Sequence, residues 1–277
     1  MTTSEAIDEI TLEQRLAHLT LQGWCVLKGV IPSDNVAGIC QRVESTVQDH
    51  GTFNELEGQG SRKGLIAYEQ SFAPYLADPR ILGIANSLFG PQLRISFTSA
   101  HISYPGCARG QLHADWPFNQ NNAGHVPAPY PDAAMHLTTL WMLSEFASET
   151  GATAIVPGSH RSPNNPSGNN GVDPSQPYPG EIRATGEAGS VLLFDSRLWH
   201  AATANTSAQA RVGMAVRYAP WWLNLDILMP GSPERLRMVD EAGKTENDVA
   251  AVPLDVYEAL PENVKPLYRH WVRPCPA

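Results

Sequence analysis

The stretch GQLHADW, residues 110–116, is the part of the sequence from which fold and site are best interpreted. His113 and Asp115 are two positions apart, so on a β-strand both side chains point to the same face of a sheet. An imidazole beside a carboxylate provides two ligands of a 2-His-1-carboxylate triad, which binds non-haem Fe(II) and leaves coordination positions open. The pattern therefore predicts a metal-bearing strand that needs a second histidine from elsewhere in the chain.

His200 is the candidate for that second histidine. It follows the apolar run SVLLFD, residues 190–195, which is typical of a buried strand. Arg211 lies eleven residues further on and opens the β-like run 212–218. Because a planar guanidinium matches the two oxygens of a carboxylate, Arg211 is expected to bind an anionic group in the same site.

Four motifs in order give the chain a resemblance to a known family. They are GWCVLKGV at 23–30, HAD at 113–115, ETGATAIVPGSHR at 149–161, and His200 followed by Arg211. Together they resemble the phytanoyl-CoA dioxygenase family of Fe(II)/2-oxoglutarate-dependent dioxygenases. The resemblance implies a mainly β fold, the double-stranded β-helix (a cupin-like jelly roll), with flanking N-terminal α-helices.

The resemblance also implies the site. It assigns Fe(II) to His113, Asp115 and His200 as catalytic metal ligands, and it places 2-oxoglutarate on the iron with Arg211 on its distal carboxylate. Dioxygen takes the remaining position, and Leu140 lies near the cosubstrate. Related halogenases have a small residue at the position of Asp115, so the carboxylate implies hydroxylation or another oxidation.

One position departs from the family pattern. Many relatives carry Ser or Thr two residues after the distal histidine, in contact with 2-oxoglutarate, and here that residue is Ala202. A hydroxyl from Thr138 or Thr139, on the predicted strand 135–143, is expected to compensate. Thr138 shares a strand face with Leu140, so both are expected at the cosubstrate site.

Four further residues are candidates for substrate contact. Arg217 lies six residues after Arg211, hence on the same face of a regular strand, either as a second anion clamp or as an ion-paired arginine. Trp116, Phe118 and Trp221 flank the predicted metal site in the sequence. They either line a cavity for an apolar or cyclic substrate or pack in the core.

The length allows one large or two small domains, and because no composition shift is sharp enough for a boundary, one globular domain is predicted over residues 1–277. Hydrophobic residues make up 42% and charged residues 17% of the chain, which suits a substantial core. A helical N-terminal part is expected over about 11–90, a jelly-roll core over about 93–220, and a C-terminal extension over 221–277. Within the first part, helices are predicted for 11–22, 32–49 and 79–89. Loops are predicted for 51–64, 117–131 and 162–180.

Charge and cysteine usage limit the partners and the compartment. A net charge of −9 without a basic stripe argues against nucleic acid or an anionic membrane as partner. Cys25, Cys40, Cys107 and Cys275 form no CxxC pair, which favours reduced thiols. The N-terminus lacks the features of a signal peptide, and no apolar run approaches the roughly 20 residues of a membrane span. A cytoplasmic protein is expected.

The predicted function is oxidation of a small molecule, with hydroxylation as the preferred outcome. Specialised metabolism is preferred over acyl-CoA turnover, because Arg62-Lys63 is the only compact basic pair suited to the phosphates of coenzyme A. Two alternatives remain open, namely a cupin-like metalloenzyme that uses no oxoacid and a small-molecule binding protein with a vestigial metal site. The oligomeric state is left open.

Overall fold

The computed structural model describes residues 10–55, 57–166 and 170–272. Strands in these ranges form two antiparallel sheets, with orders β1-β8-β5-β10-β4-β3-β2 and β7-β6-β9. The strands are β1 (Trp24–Leu27), β2 (Thr52–Asn54), β3 (Gln59–Lys63), β4 (Leu93–Ser103), β5 (Leu137–Met142), β6 (Thr153–Ile155), β7 (Ile182–Ala184), β8 (Val191–Asp195), β9 (His200–Ala201) and β10 (Arg211–Pro220). The arrangement confirms the predicted mainly β jelly-roll fold.

Helices flank the larger sheet. They are α1 (Leu12–Gln22), α2 (Ser33–His50), α3 (Pro79–Phe89), α4 (Pro233–Arg235), α5 (Leu254–Ala259) and α6 (Lys265–Tyr268). The first begins with a capping box, in which Thr11 and Gln14 bond reciprocally, and it ends at Gly23 with φ of 86°. These local signals explain why α1 matches its predicted bounds to within a residue, as α2 and α3 also do.

The predicted loop 51–64 is wrong, because the segment forms the hairpin of β2 and β3. This hairpin extends the larger sheet, since β3 pairs with β4 from Gln59↔Ser103 to Lys63↔Ser99. Its turn includes Gly58, which has φ of 62°. Residues 52–54 are all exposed, so the hairpin lacks the apolar alternation by which strands are recognised. Backbone hydrogen bonds from β3 to β4, which the local sequence does not reveal, add the hairpin to the larger sheet and make β2 its edge strand.

The interior between the two sheets positions the site. One buried cluster joins residues from both sheets and their connections, including Phe146, Ile155, Phe194 and Leu198. A larger cluster covers the other face of the large sheet and extends to Trp271, whose Nε1 donates to the carbonyl of Ile95 at 2.6 Å. The large sheet is therefore covered on both faces, and its inner face borders the cavity described below.

The loops predicted at 117–131 and 162–180 contain neither helix nor strand in their described residues; Ser167, Gly168 and Asn169 lie outside them. They are tied together, because the backbone N–H of Tyr130 donates to the carbonyl of Pro163 at 2.8 Å.

Other sequence predictions concern thiols, the termini and membrane spans. No disulfide joins any two of Cys25, Cys40 and Cys107, whereas Cys275 and residues 1–9 lie outside the described ranges. Across the helices that the structure describes, none combines the length and the apolarity needed to cross a bilayer.

Candidate metal centre

The HAD motif lies beside β9 and not within a regular strand. His113 and His200 form a single antiparallel bridge, and each backbone N–H donates to the other's carbonyl at 2.9 Å. A regular continuation would pair Asp115 with Leu198, but its N–H donates to Ser196 at 2.8 Å. The expectation of a regular strand is therefore wrong, because the register shifts by two residues. His113 and Asp115 nevertheless face the same cavity.

Three side chains bring potential metal-ligand atoms together. The ligand atoms of His113, Asp115 and His200 all lie within 4.8 Å of one another. Oδ1 of Asp115 is 3.9 Å from Nε2 of His113 and 3.7 Å from Nε2 of His200. Two imidazoles and one carboxylate on one side of a cavity are the donor set of a facial triad.

Backbone carbonyls fix the orientation of both imidazoles. Nδ1 of His113 lies 2.9 Å from the carbonyl of Gln111, and Nδ1 of His200 lies 2.9 Å from that of Leu198. Since a carbonyl only accepts, each Nδ1 carries a proton, which leaves Nε2 as the atom that each ring can offer to a metal. Burial, followed by the charge of His113, lowers the pKa of His200 to about 4. His200 is therefore neutral at pH 7, as a metal ligand must be.

Asp115 is held at both oxygens. Oδ1 accepts from Nη2 of Arg217 at 2.5 Å, and Oδ2 accepts from Oγ1 of Thr138 at 2.6 Å. Burial alone would raise the pKa of Asp115, but Arg217, the two histidines and the Thr138 hydrogen bond together hold it well below its usual range. The carboxylate is therefore ionised, so the three side chains fit a divalent cation.

The cavity next to these ligands has a volume of about 220 Å³ and lies between the two sheets. Its lining residues are Gln59, His101, His113, Asp115, Thr138, Leu140, Phe146, Thr153, His200, Ala202, Arg211, Gly213, Met214, Ala215 and Arg217. Sequence reasoning missed Gln59, because its segment was interpreted as a loop. His101 faces inward on β4, opposite Gly213 of β10, and strand alternation is the signal that could have identified it.

Arg211 lies in this cavity as a buried cation. Its Nη2 donates to Oγ of Ser103 at 2.7 Å, and its guanidinium lies 4.5 Å from the centre of the Phe146 ring. Burial lowers the pKa of Arg211 to about 10, so the side chain stays positive at neutral pH. Its Nε has no hydrogen-bond partner among the described residues. Arg211 is thus a preformed anion-binding group within the cavity that the candidate metal ligands line.

The other predicted site residues divide into two groups. Thr138, Leu140 and Arg217 line the cavity. Thr138, however, uses its single hydroxyl proton on Asp115, so it cannot donate to a cosubstrate as expected. Thr139 bonds to the carbonyl of Val216 and does not line the cavity.

The three aromatic candidates lie away from the cavity wall. Trp116 is buried in the main core against the ring of His136, at 5.5 Å between centroids. Phe118 is completely buried beside Tyr130. Trp221 is 59% exposed and borders a separate surface depression with Arg94. Trp116 and Phe118 therefore pack in the core and do not line a substrate cavity, which was the other interpretation of these aromatic residues.

The comparison with protein families bears directly on this site. The family model described as Phytanoyl-CoA dioxygenase (PhyH) matches residues 19–213, which include the HAD motif, His200 and Arg211. The chain belongs to the phytanoyl-CoA dioxygenase family.

This member of the phytanoyl-CoA dioxygenase family is similar to individual proteins of fungi and of a bacterium. Dioxygenase af480 of Aspergillus fumigatus is 27% identical over 218 residues, which cover 74% of this chain and 66% of that protein. Dioxygenase ALT11 of Alternaria alternata is 28% identical over 226 residues, covering 75% of this chain and 71% of that protein. An uncharacterised protein of Mycobacterium tuberculosis, Rv1501, is 26% identical, with 54% and 52% covered. The alignments with these relatives thus span from 52% to 71% of their lengths.

Solved structures share the fold of this family member. The epimerase SnoN, in complex with Fe3+, alpha ketoglutarate and nogalamycin RO, matches with a TM-score of 0.61 and 20% identity over 76% of this chain and 83% of SnoN. EctD from S. alaskensis, with 2-oxoglutarate and 5-hydroxyectoine, matches with a TM-score of 0.62 and 19% identity over 79% of each chain. At these identities the likeness establishes the double-stranded β-helix fold.

Proposed function

We propose that this protein is an Fe(II)/2-oxoglutarate-dependent oxygenase that oxidises a small molecule. One observation carries the proposal: His113, Asp115 and His200 line the same cavity as the buried cation Arg211. Two imidazoles and a carboxylate without a thiolate suit Fe(II) and leave positions open. A hydrolytic zinc site has no need of the arginine, whereas a dicarboxylate cosubstrate does.

Each residue of the chain has a defined task in this proposal. His113, Asp115 and His200 hold the metal from one side, so that the cavity side stays free for ligands. Arg211 pairs with the distal carboxylate of 2-oxoglutarate, and the Phe146 ring beside it restricts the position of the guanidinium. The two sheets exclude water from the bound groups. When bound, iron with 2-oxoglutarate and dioxygen supplies the oxidising chemistry that no amino-acid side chain provides.

Hydroxylation in specialised metabolism is the preferred form of this activity. Related halogenases have a small residue at the position of Asp115, where chloride can then bind the metal. The carboxylate of Asp115 therefore supports hydroxylation or another oxidation over halogenation. The Arg62-Lys63 pair is already engaged, because Arg62 donates to the carbonyl of His50 at 2.7 Å and Lys63 lies 3.5 Å from Asp248. These contacts weaken the case for a coenzyme A substrate. The shared fold with SnoN, an epimerase from nogalamycin biosynthesis, also favours specialised metabolism.

Anaerobic reconstitution tests the proposal. Fe(II) is added to the metal-free protein, then 2-oxoglutarate, and the weak visible charge-transfer band of the chelate is recorded. We expect a band in the wild type, a much weaker one in Arg211→Met, and neither iron binding nor a band in Asp115→Ala. Iron binding without any band would reject the oxoacid and favour the cupin-like metalloenzyme. Ligand binding without iron binding would favour the vestigial site.

A further inference from the structure

A buried network of side chains leads away from the candidate metal centre. Oγ1 of Thr138 donates to Oδ2 of Asp115 at 2.6 Å and lies 2.9 Å from Oγ of Ser196. Nδ1 of His136 lies 3.0 Å from the same Ser196 oxygen. Nε2 of His136 lies 2.6 Å from Oγ of Ser96. We call Thr138, Ser196, His136 and Ser96 the buried network.

Counting protons gives the buried network a direction. Thr138 spends its single hydroxyl proton on Asp115, so Ser196 donates to Thr138. Ser196 then has no proton left, and Nδ1 of His136 donates to it. Burial, followed by the charge of Arg217, lowers the pKa of His136 to about 3, so the ring carries one proton at neutral pH. Nε2 therefore accepts from Ser96, whose Oγ lies 2.6 Å from that nitrogen and 3.3 Å from the carbonyl of Arg217, and the four short hydrogen bonds all point towards Asp115.

The members of the network come from separate parts of the fold. Ser96 lies on β4 and Thr138 on β5, while His136 precedes β5 and Ser196 follows β8. Each is at most 1% exposed. The backbone also joins two of them, because the N–H of Ser196 donates to the carbonyl of His136 at 3.0 Å. Buried polar groups need such partners, so a change in one member is transmitted to the next.

The network acts on one of the two carboxylate oxygens. Oδ2 of Asp115 faces Thr138, while Oδ1 faces His113 and His200. Arg217 holds Oδ1, so without Thr138 the carboxylate would keep that single contact and could turn about it. Partners that fix a ligand in advance raise the affinity for the metal.

We infer that His136 is a positioning residue for Asp115. Through Ser196 and Thr138 it holds Oδ2 and thereby presents Oδ1 to the metal. This inference rests on the proposed metal centre, and it assigns a role to a completely buried histidine that touches neither metal nor substrate. A histidine that only filled space would be replaceable by any side chain of similar shape.

Two matched pairs of variants test the inference, with Co(II) binding to the metal-free protein as the readout. His136→Asn and His136→Leu have similar shape, but only the amide can donate to Ser196. Thr138→Val and Thr139→Val remove neighbouring buried hydroxyls, of which only the first bonds to Asp115. Affinity and coordination geometry are measured by titrating the visible Co(II) spectrum, and urea unfolding of each metal-free variant verifies that it folds.

We expect Co(II) affinity to fall about 10-fold or more in His136→Leu and Thr138→Val, as for other partners of metal ligands. His136→Asn and Thr139→Val should stay within about threefold of the wild type and keep its spectrum, since the donation towards Asp115 is intact. The His136→Leu substitution would remove one hydrogen-bond partner from each of two buried serines. If that variant does not fold, the comparison of Thr138→Val with Thr139→Val tests the inference.

Three results would overturn the inference. Wild-type affinity in folded His136→Leu and Thr138→Val would show that the network does not act on the metal ligand. If Co(II) affinity fell equally in His136→Asn and His136→Leu, and equally in both valine variants, the buried network would contribute only packing. Failure of the wild type to bind Co(II) would reject the proposed metal centre itself, which distinguishes that failure from the first two.

Discussion

Nη2 of Arg217 lies 2.5 Å from Oδ1 of Asp115, the same oxygen that faces His113 and His200. The pair is largely buried, with 13% of the arginine side chain and 5% of the aspartate side chain exposed. A guanidinium thus neutralises the carboxylate at the place where a metal would bind. Of the two interpretations of Arg217, the ion-paired arginine is the one that this contact supports.

Replacing Arg217 should make the protein depend more strongly on its metal. In Arg217→Gln we expect the metal-free protein to lose about 3 kcal/mol of unfolding free energy, because a buried carboxylate loses its charged partner. Saturating Co(II) should restore more stability than it adds to the wild type, since the ion supplies the missing positive charge. Urea unfolding with and without Co(II) measures both effects.

A second buried ion pair serves as the control for this prediction. Arg197 lies 2.8 Å from Asp195 with 5% of each side chain exposed, and neither residue lines the cavity. Arg197→Gln should be destabilised as well, but its gain from Co(II) should equal that of the wild type. Equal gains in Arg217→Gln and the wild type would contradict the prediction.

Arg211→Lys should weaken 2-oxoglutarate binding and leave Fe(II) binding unchanged. An ammonium cannot match two carboxylate oxygens as a guanidinium does, and the lost charge-assisted bond is worth about 2 kcal/mol, or about 30-fold in affinity. Titration of the charge-transfer band with 2-oxoglutarate gives the dissociation constant. Arg109→Lys, at the Glu181 ion pair outside the cavity lining, is the control and should bind as the wild type does. An unchanged constant in Arg211→Lys would place the cosubstrate elsewhere.

Gly213→Ala should disturb the same site through the Phe146 ring. A Cβ at Gly213 would stand 2.8 Å from Cζ of Phe146, which is buried and lies under the Arg211 guanidinium. We expect a loss of about 2 kcal/mol in unfolding free energy from overpacking, together with weaker 2-oxoglutarate binding. Gly110→Ala is the matched control, because its Cβ would meet nothing closer than 3.7 Å. Wild-type cosubstrate affinity in Gly213→Ala would show that the ring does not position Arg211.

Acidification should destabilise the protein through His136. Its pKa is about 3 in the folded protein and about 6.5 in an unfolded chain, so between these values only the unfolded state binds the proton. The stability contributed by the neutral ring is therefore present above pH 6.5 and is lost as the pH falls. The loss from pH 7 to pH 5 amounts to about 2 kcal/mol for this residue. Urea unfolding at both pH values should show that His136→Asn loses less unfolding free energy than the wild type, by that amount. Equal losses in the two proteins would contradict the lowered pKa of His136.

Features with a local physical cause could be predicted from the sequence. The bounds of α1 follow from the Thr11 cap and from Gly23, where the chain needs a positive φ. The hairpin of β2 and β3 could not be predicted, because its polar residues form strands only by bonding to the exposed edge of β4. Phe118 was placed near the site by its position in the sequence, although its side chain turns into a separate buried cluster.

The sequence by itself determined which residues meet at the candidate centre. The residue types of His113, Asp115 and His200 identified a donor set by ligand chemistry, and Arg211 opens a run that is a strand, although the HAD motif itself is not in one. Only the tertiary structure decided how these residues are held. Ser96, Thr138, Ser196 and Arg217 come from distant parts of the chain, and a hydrogen bond between them depends on sheet packing that no local pattern encodes.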